Sequence, residues 1–200
     1  MQKGEVKGII ESLLFVHQHP LTVADIGRIL GDEAEKKLIR EALAELVAEY
    51  EEMGRSFYLA EVGEGYQLRT RVEYAPWIRN LRKVKPARLS KSAFETLAIV
   101  AYRQPLVRAE VEHIRGVDSG WVLNSLLEKG LIKILGRKEV AGRPLVYGTS
   151  RRFLEVFGLR DLGGLPTLQE LDALKEEEMP ATQAEEISEE VDEEEEREEE

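Results

Sequence analysis

An α+β chain, mainly helical, in which a three-helix-plus-hairpin unit occurs twice ahead of an acidic tail, is what the sequence predicts. Three observations predict it. A twelve-residue pattern occurs twice, 85 residues apart. Around each occurrence the apolar periodicity runs at 3.6 and then changes to 2. The net negative charge resides in the last 26 residues.

The pattern reads HPLTVADIGRILG around Pro20 and QPLVRAEVEHIRG around Pro105. In register, Pro20, Leu21, Ala24, Asp25, Ile26, Ile29 and Gly31 match Pro105, Leu106, Ala109, Glu110, Val111, Ile114 and Gly116. Seven ungapped matches in twelve positions indicate a duplicated unit, and two copies are too few for a solenoid.

Each copy opens with a helical stripe. In the first it is Ile9, Ile10, Leu13, Leu14 and Val16; in the second it is Phe94, Leu97, Ala98, Ala101 and Tyr102. Ser92-x-x-Glu95 has the form of a capping box for the second of these helices. The proline ends each stripe because it cannot continue a helix. A short helix follows, capped in the first copy by Thr22-x-x-Asp25 and closed by Gly31 or Gly116. A third helix is expected over Glu33 to Met53, carrying Leu38, Ala42, Leu46 and Tyr50. Its counterpart is expected over Ser119 to Lys129, carrying Val122, Leu123, Leu126 and Leu127.

Then the period becomes 2. SFYLAEV, Gly63-Glu64-Gly65 and YQLRT read as a hairpin with a glycine turn. In the second copy the strands are LIKIL and PLVYGT around a longer loop, GRKEVAGR. A last helix follows each hairpin, Tyr74 to Leu81 with Trp77, and Arg151 to Phe157. Helix, helix, helix, hairpin is the winged-helix order. The expected organisation is a winged-helix domain over 1–81, a basic linker over 82–89 containing Pro86, a second winged-helix domain over 90–166, and a C-terminal extension over 167–200.

The net charge of −11 has to be divided before it means anything. Lys175 to Glu200 holds 15 acidic and 2 basic residues and no aromatic one. Such a segment cannot bury enough apolar surface to offset its ordering entropy, so it is expected to be disordered. Residues 86–160 carry 7 acidic and 13 basic residues, a net of +6. No stretch approaches the ~18 apolar residues that a membrane span requires, and the N-terminal run from Gly8 to Val16 reads as an amphipathic helix rather than a signal peptide.

The residue types that carry chemistry are sparse. Cysteine is absent, which excludes disulfides, thiolate ligands and a cysteine nucleophile. His17, His19 and His113 are the only histidines and lack ligand spacing. Gly63-x-Gly65 has neither the further glycine nor the strand-to-helix context of a phosphate loop. No cofactor, metal or catalytic group is expected. DNA reading is disfavoured as well. A recognition helix presents Arg, Lys, Asn or Gln to base edges. The third helix of the first copy instead carries Glu45, Glu49, Glu51 and Glu52 after Lys36, Lys37 and Arg40, and that of the second offers Asn124 and Lys129. The cations of the second copy, Arg103, Arg108, Arg115, Arg137, Lys138 and Arg143, lie outside that helix. They suit a partner surface or, at most, weak non-specific contact with phosphates.

The second copy carries motifs beyond the repeat: ETLAIVAYRQP (95–105), EVEHIRGV (110–117), LLEKGLI (126–132), GRPLVYGT (142–149) and FLEVFGL (153–159). With them the chain closely resembles the segregation and condensation protein B family over residues 5–166, the first copy more loosely than the second. The resemblance implies a cytoplasmic, nucleoid-associated, non-enzymatic subunit. It implies a homodimer formed mainly through the first domain. It also implies a kleisin partner, segregation and condensation protein A, that bridges the structural-maintenance-of-chromosomes ATPase. A partner surface needs exposed apolar and arginine anchors, and the candidates are Tyr102, Arg103, Arg115, Trp121, Arg143 and Tyr147. The alternative for Tyr102 and Tyr147 is a core position with a satisfied hydroxyl, and for Trp121 packing within its domain. The competing function is a winged-helix transcriptional regulator, which would show a basic or amide-rich third helix.

Overall fold

A computed structural model describes residues 2–31, 35–82, 89–167 and 170. Contacts group residues 1–163 into one compact unit and 164–200 into a second. Most of the expected linker, residues 83–88, and the acidic segment from Lys175 onward lie outside the described residues.

The first copy begins with α1 (Lys3–Val16), which buries Val6, Ile10 and Leu14, with Ile9 and Leu13 packed partly against the same core. The expected stripe is therefore offset. Val6 belongs to it, while Val16, two residues past Leu14 and so on the opposite side of a 3.6-residue helix, is 72% exposed. Helix α2 (Val23–Leu30) starts with a reciprocal cap, as its sequence indicates. The Asp25 N–H donates to Thr22 Oγ1 at 3.0 Å and the Thr22 N–H to Asp25 Oδ2 at 3.2 Å. The Thr22 hydroxyl, which donates to Asp25 Oδ2 at 2.6 Å, and then the Thr22 N–H hold the Asp25 carboxyl below the usual carboxylate value. Gly31 closes the helix at φ +67°, a conformation that suits glycine.

Helix α3 (Lys36–Glu52) turns Ile39, Ala42, Leu43 and Leu46 into the core and leaves Leu38 and Tyr50 at its edge. The part of the expected helix at 33–34 lies outside the described residues. The Tyr50 hydroxyl donates to Glu11 at 2.6 Å, and burial, reinforced by that carboxylate, pushes its phenol up to about 12.

Strands β1 (Phe57–Val62) and β2 (Gly65–Thr70) pair antiparallel from Phe57 with Thr70 to Val62 with Gly65. The turn is two residues long rather than three, because Gly65 enters β2. Gly63 and Glu64 both have positive φ, +58° and +61°, as tight hairpins of right-handed twist require. Tyr66 then exchanges two 2.9 Å backbone hydrogen bonds with Leu21, the residue after Pro20. Gly65 permits this approach, since a Cβ there would stand 2.6 Å from the Leu21 carbonyl oxygen. Helix α4 (Ala75–Arg82) follows a short turn, with Trp77 69% exposed.

The second copy repeats this order. Helix α5 (Lys91–Arg103) is capped by Ser90, which accepts from the Ala93 N–H at 3.3 Å; Ser92, the expected cap, lies inside the first turn. It buries Ala93, Thr96, Leu97, Val100 and Ala101, so Phe94 and Tyr102 point outward. Strand β3 (Leu106–Val107), which periodicity did not reveal, leads into α6 (Arg108–Arg115), closed by Gly116 at φ +76°. Helix α7 (Gly120–Glu128) buries Val122, Leu123 and Leu126. Strand β4 (Ile132–Arg137) runs past LIKIL through a bulge between Ile134 and Gly136. With β5 (Leu145–Thr149) it forms a sheet of order β3-β5-β4 in which Leu106 faces Tyr147. Helix α8 (Arg151–Phe157) has the bounds its sequence indicates, capped by Ser150.

Both copies therefore close the same way: the leucine after the proline pairs with a tyrosine of the second hairpin strand. The copies also meet. The N–H groups of Gly63 and Glu64 donate to the carbonyls of Leu159 and Arg160, each at 2.9 Å. Around this joint Arg151 pairs with Glu64 at 3.2 Å, Arg160 with Glu61 at 3.3 Å, and Arg69 donates to the Glu155 carbonyl at 2.5 Å. In the second unit Thr167 and Glu170 form a reciprocal cap, with the Thr167 N–H 2.7 Å from Glu170 Oε2. Among the described residues no helix is long and apolar enough to cross a membrane.

Two tests follow from the packing. Leu97→Ala and Leu126→Ala remove side chains that are 1% and 0% exposed, and each is expected to cost ~2–5 kcal/mol in chemical denaturation. Gly65→Ala forces the first hairpin off Leu21 and is expected to cost ~1–3 kcal/mol by overpacking, whereas Gly8→Ala, at a helical position of α1, meets no atom within 4 Å. Equal midpoints for the wild type and Gly65→Ala would show that the bridge is not a constraint.

Candidate partner-binding surface

The six sequence-derived anchors separate into two groups. Trp121 stands in the first turn of α7 at 75% exposure, and Tyr102 and Arg103 occupy the exposed last turn of α5. Arg143 is exposed in the β4–β5 loop at φ +41°, 3.7 Å from Glu139. These four can meet another molecule. The other two are interior. Tyr147 is 6% exposed, fixed in β5 opposite Leu106. The motif that contains it is conspicuous because the fold needs that pair, and the matching position in the first copy is Tyr66.

Arg115 corrects the surface expectation for a different reason. Its side chain is 8% exposed, and its Nη2 donates to Ser92 Oγ at 2.9 Å and reaches Glu95 at 3.4 Å. Nη1 donates to Ser119 Oγ at 3.2 Å, while Nε is buried with no partner among the described residues. One guanidinium thus ties the start of α5, the end of α6 and the start of α7. Next to it, Glu112 accepts from Arg108 Nε at 2.5 Å and from the Ser119 N–H at 3.1 Å. Arg108 first, then that N–H, holds the Glu112 carboxyl below its usual value. Because this pKa is depressed in the fold, its contribution to stability is present at neutral pH and is lost as the pH falls below the ordinary carboxylate range.

Around Trp121, Ile114 and Val117 are 51% and 55% exposed, giving three apolar side chains in eight residues at the α6–α7 corner. Nothing in the spacing marks this grouping, and in the sequence Ile114 stands out only as a position of the repeat and of the EVEHIRGV motif. Its counterpart Ile29 is also 56% exposed, so the repeat preserves a surface residue as well as core ones. Outward on α7 the exposed residues are Trp121, Asn124 and Glu128. On α3, the half-exposed Glu45 and Glu49 are ion-pair partners of Lys3 and Lys7, the second at 2.5 Å.

A second feature left no periodic signal. A groove of about 530 Å³ opens on the second copy. Phe94, Val156 and Phe157 line it together with Leu89 and the buried Leu131, and Lys129 and Arg152 border the same space. Among the described residues no three His, Asp or Glu side chains converge as metal donors.

Comparison with known proteins adds four findings. Residues 8–168 match the family model of the segregation and condensation complex subunit ScpB. The chain is 51% identical over 177 residues to segregation and condensation protein B of Syntrophotalea carbinolica, covering 88% of this chain and 89% of that one. Among solved structures it is similar to ScpB from Mycobacterium tuberculosis, at 31% identity and TM-score 0.38 over 80% and 98% of the two chains. It is also similar to a dimer of the ScpB N-terminal domain complexed with ScpA peptide, at 28% identity and TM-score 0.35 over 39% and 95%.

The division between surface and interior anchors is open to measurement. Arg115→Ala removes a donor from the buried Ser119 and the half-buried Ser92 and is expected to lower stability by ~1–3 kcal/mol. Trp121→Ala, at a 75% exposed position, is expected to change it by less than ~0.5 kcal/mol. Thermal melts of the two variants in parallel would reveal a reversed order.

Proposed function

Because the chain belongs to the segregation and condensation complex subunit ScpB family, we propose that it is a non-enzymatic accessory subunit of the bacterial chromosome condensation and segregation complex. In this reading each copy is a winged-helix domain. The chain acts in the cytoplasm at the nucleoid as a homodimer. It binds the kleisin ScpA, which in turn bridges the structural-maintenance-of-chromosomes ATPase, so the energy source lies outside this chain.

The observation that carries the proposal is the outward face of the third helix in each copy. A helix that reads DNA brings Arg or Lys to base edges and phosphates. On α7 the solvent side presents Trp121, Asn124 and Glu128, a face suited to protein contact, where tryptophan is enriched and acidic repulsion of phosphate is harmless. On α3 the exposed Lys36, Lys37 and Arg40 give way to Glu41, Glu51 and Glu52. Tyr102, Arg103, Trp121 and Arg143 are the surface anchors proposed for ScpA. Homodimerisation is assigned to the first copy, where Val72, Trp77 and Leu81 are 84%, 69% and 83% exposed. Trp77 and Leu81, four residues apart on α4, share one face of that helix, and grouped apolar exposure marks association surfaces.

The full chain, titrated with labelled ScpA and separately with random duplex DNA, separates this function from a DNA-binding regulator. ScpA is expected to bind at both low and physiological salt. DNA binding, if present, is expected only at low salt, because each phosphate contact costs ~0.9 log unit of affinity per log unit of salt. Sequence-selective DNA binding at physiological salt without ScpA binding would overturn the proposal.

A further inference from the structure

The groove on the second copy has its own chemistry, separate from the four surface anchors. Isolated exposed hydrophobics are ordinary, but contiguous ones are not. Here Phe94, Val156 and Phe157 are 55%, 57% and 39% exposed around one cavity. The rings of Phe94 and Phe157 lie 6.4 Å apart, and Phe157 rests on the buried Phe153 at 4.8 Å. The aromatic wall is therefore held in place rather than mobile.

The charges at the groove are unbalanced by the fold itself. Lys129 and Arg152 are exposed, and neither has an ion pair with a described residue. The carboxylates on the two helices that form the groove are directed elsewhere. Glu95 of α5 meets Arg115 at 3.4 Å. Glu155 of α8 lies 3.5 Å from His19 and 3.3 Å from Gln67, both in the first copy. What remains is an apolar cleft with two uncommitted cations, in the half of the chain that carries a net +6.

We propose that this groove is the docking site for an acidic segment of the protein partner that inserts large apolar side chains between carboxylates. The apolar residues would fill the space beside Phe94, Val156 and Phe157, and the carboxylates would meet Lys129 and Arg152. Arginine at such a position can clamp a carboxylate through two parallel N–H donors. A nucleic acid fits less well, because it needs a track of cations along its backbone and the groove offers two. The proposal rests on the reading that ScpA is the partner, and it assigns the contact to a surface outside the anchors derived from sequence.

The test titrates labelled ScpA into the full-length protein, its Val156→Glu variant and its Lys129→Glu/Arg152→Glu double variant. Lys133→Glu, an exposed charge on β4 outside the groove, serves as the comparison. Circular dichroism and melting temperature establish that each variant folds. Both groove variants are expected to weaken ScpA binding roughly tenfold or more, as loss of a central anchor does, with Lys133→Glu within about twofold of the wild type, as peripheral positions are. If the wild type binds ScpA and the groove variants bind equally well, the groove assignment fails while the partner reading stands. If the wild type does not bind ScpA, both fail. If duplex DNA competes with ScpA and loses affinity in the same variants, the groove is a nucleic-acid site and the proposal is overturned.

Discussion

The pair of backbone hydrogen bonds between Leu21 and Tyr66 is the constraint on which the first copy depends, and the pairing of Leu106 with Tyr147 repeats it in the second. A two-stranded hairpin is marginal on its own. Here a third segment, a single residue in one copy and two in the other, stitches the hairpin to the helices. In both copies the Pro-Leu dipeptide supplies the bridge and leads directly into the cap of the next helix; in the second it also follows the C-cap of α5, whereas α1 already ends at Val16, four residues before Pro20. That overlap explains why the repeat is strictest at this place. It also explains Gly65, whose missing side chain is the space through which the Leu21 carbonyl approaches.

A second constraint is electrostatic. Arg115 sits where three helix ends converge and satisfies serine hydroxyls from two of them. A charge so placed is costly to bury, and its hydrogen bonds must offset that cost. Arg108 and Glu112 extend the network to the Ser119 N–H, one of the donors left open at the start of α7. The α6–α7 corner is thereby rigid, and the exposed Ile114, Val117 and Trp121 are presented from a fixed frame. The cations outside this network, Arg103, Lys129 and Arg152 among them, are left to the solvent side.

Element order, the Thr22–Asp25 cap, the closing glycines and α8 were legible because each depends on neighbours within a few residues. The misplacements have a shared cause. Val16 joins the α1 stripe in sequence on apolar character alone, but the helix phase is set by what packs on Ile10 and Leu14, and Val6 answers that better. Ser92 and Ser90 both precede an apolar run, and only the tertiary demand of Arg115 decides which one caps. Tyr147 and Arg115 look like anchors in sequence because their residue types suit interfaces, and the same properties serve an interior bridge and an interior brace. The groove was invisible because Leu89, Phe94 and Lys129 come from separate elements and meet the α8 pair Arg152 and Val156 only through the fold.

The turn that joins β1 to β2 has a consequence for how the chain meets a larger assembly. Gly63 and Glu64 spend their N–H groups on Leu159 and Arg160, so the two copies are not beads on a string. A partner long enough to touch both encounters them at a preset angle and separation. The orientational entropy that two loosely tethered modules would lose on clamping such a partner has already been surrendered during folding. Duplication here yields a ruler with two marks, and the interval between the marks is written in a two-residue turn.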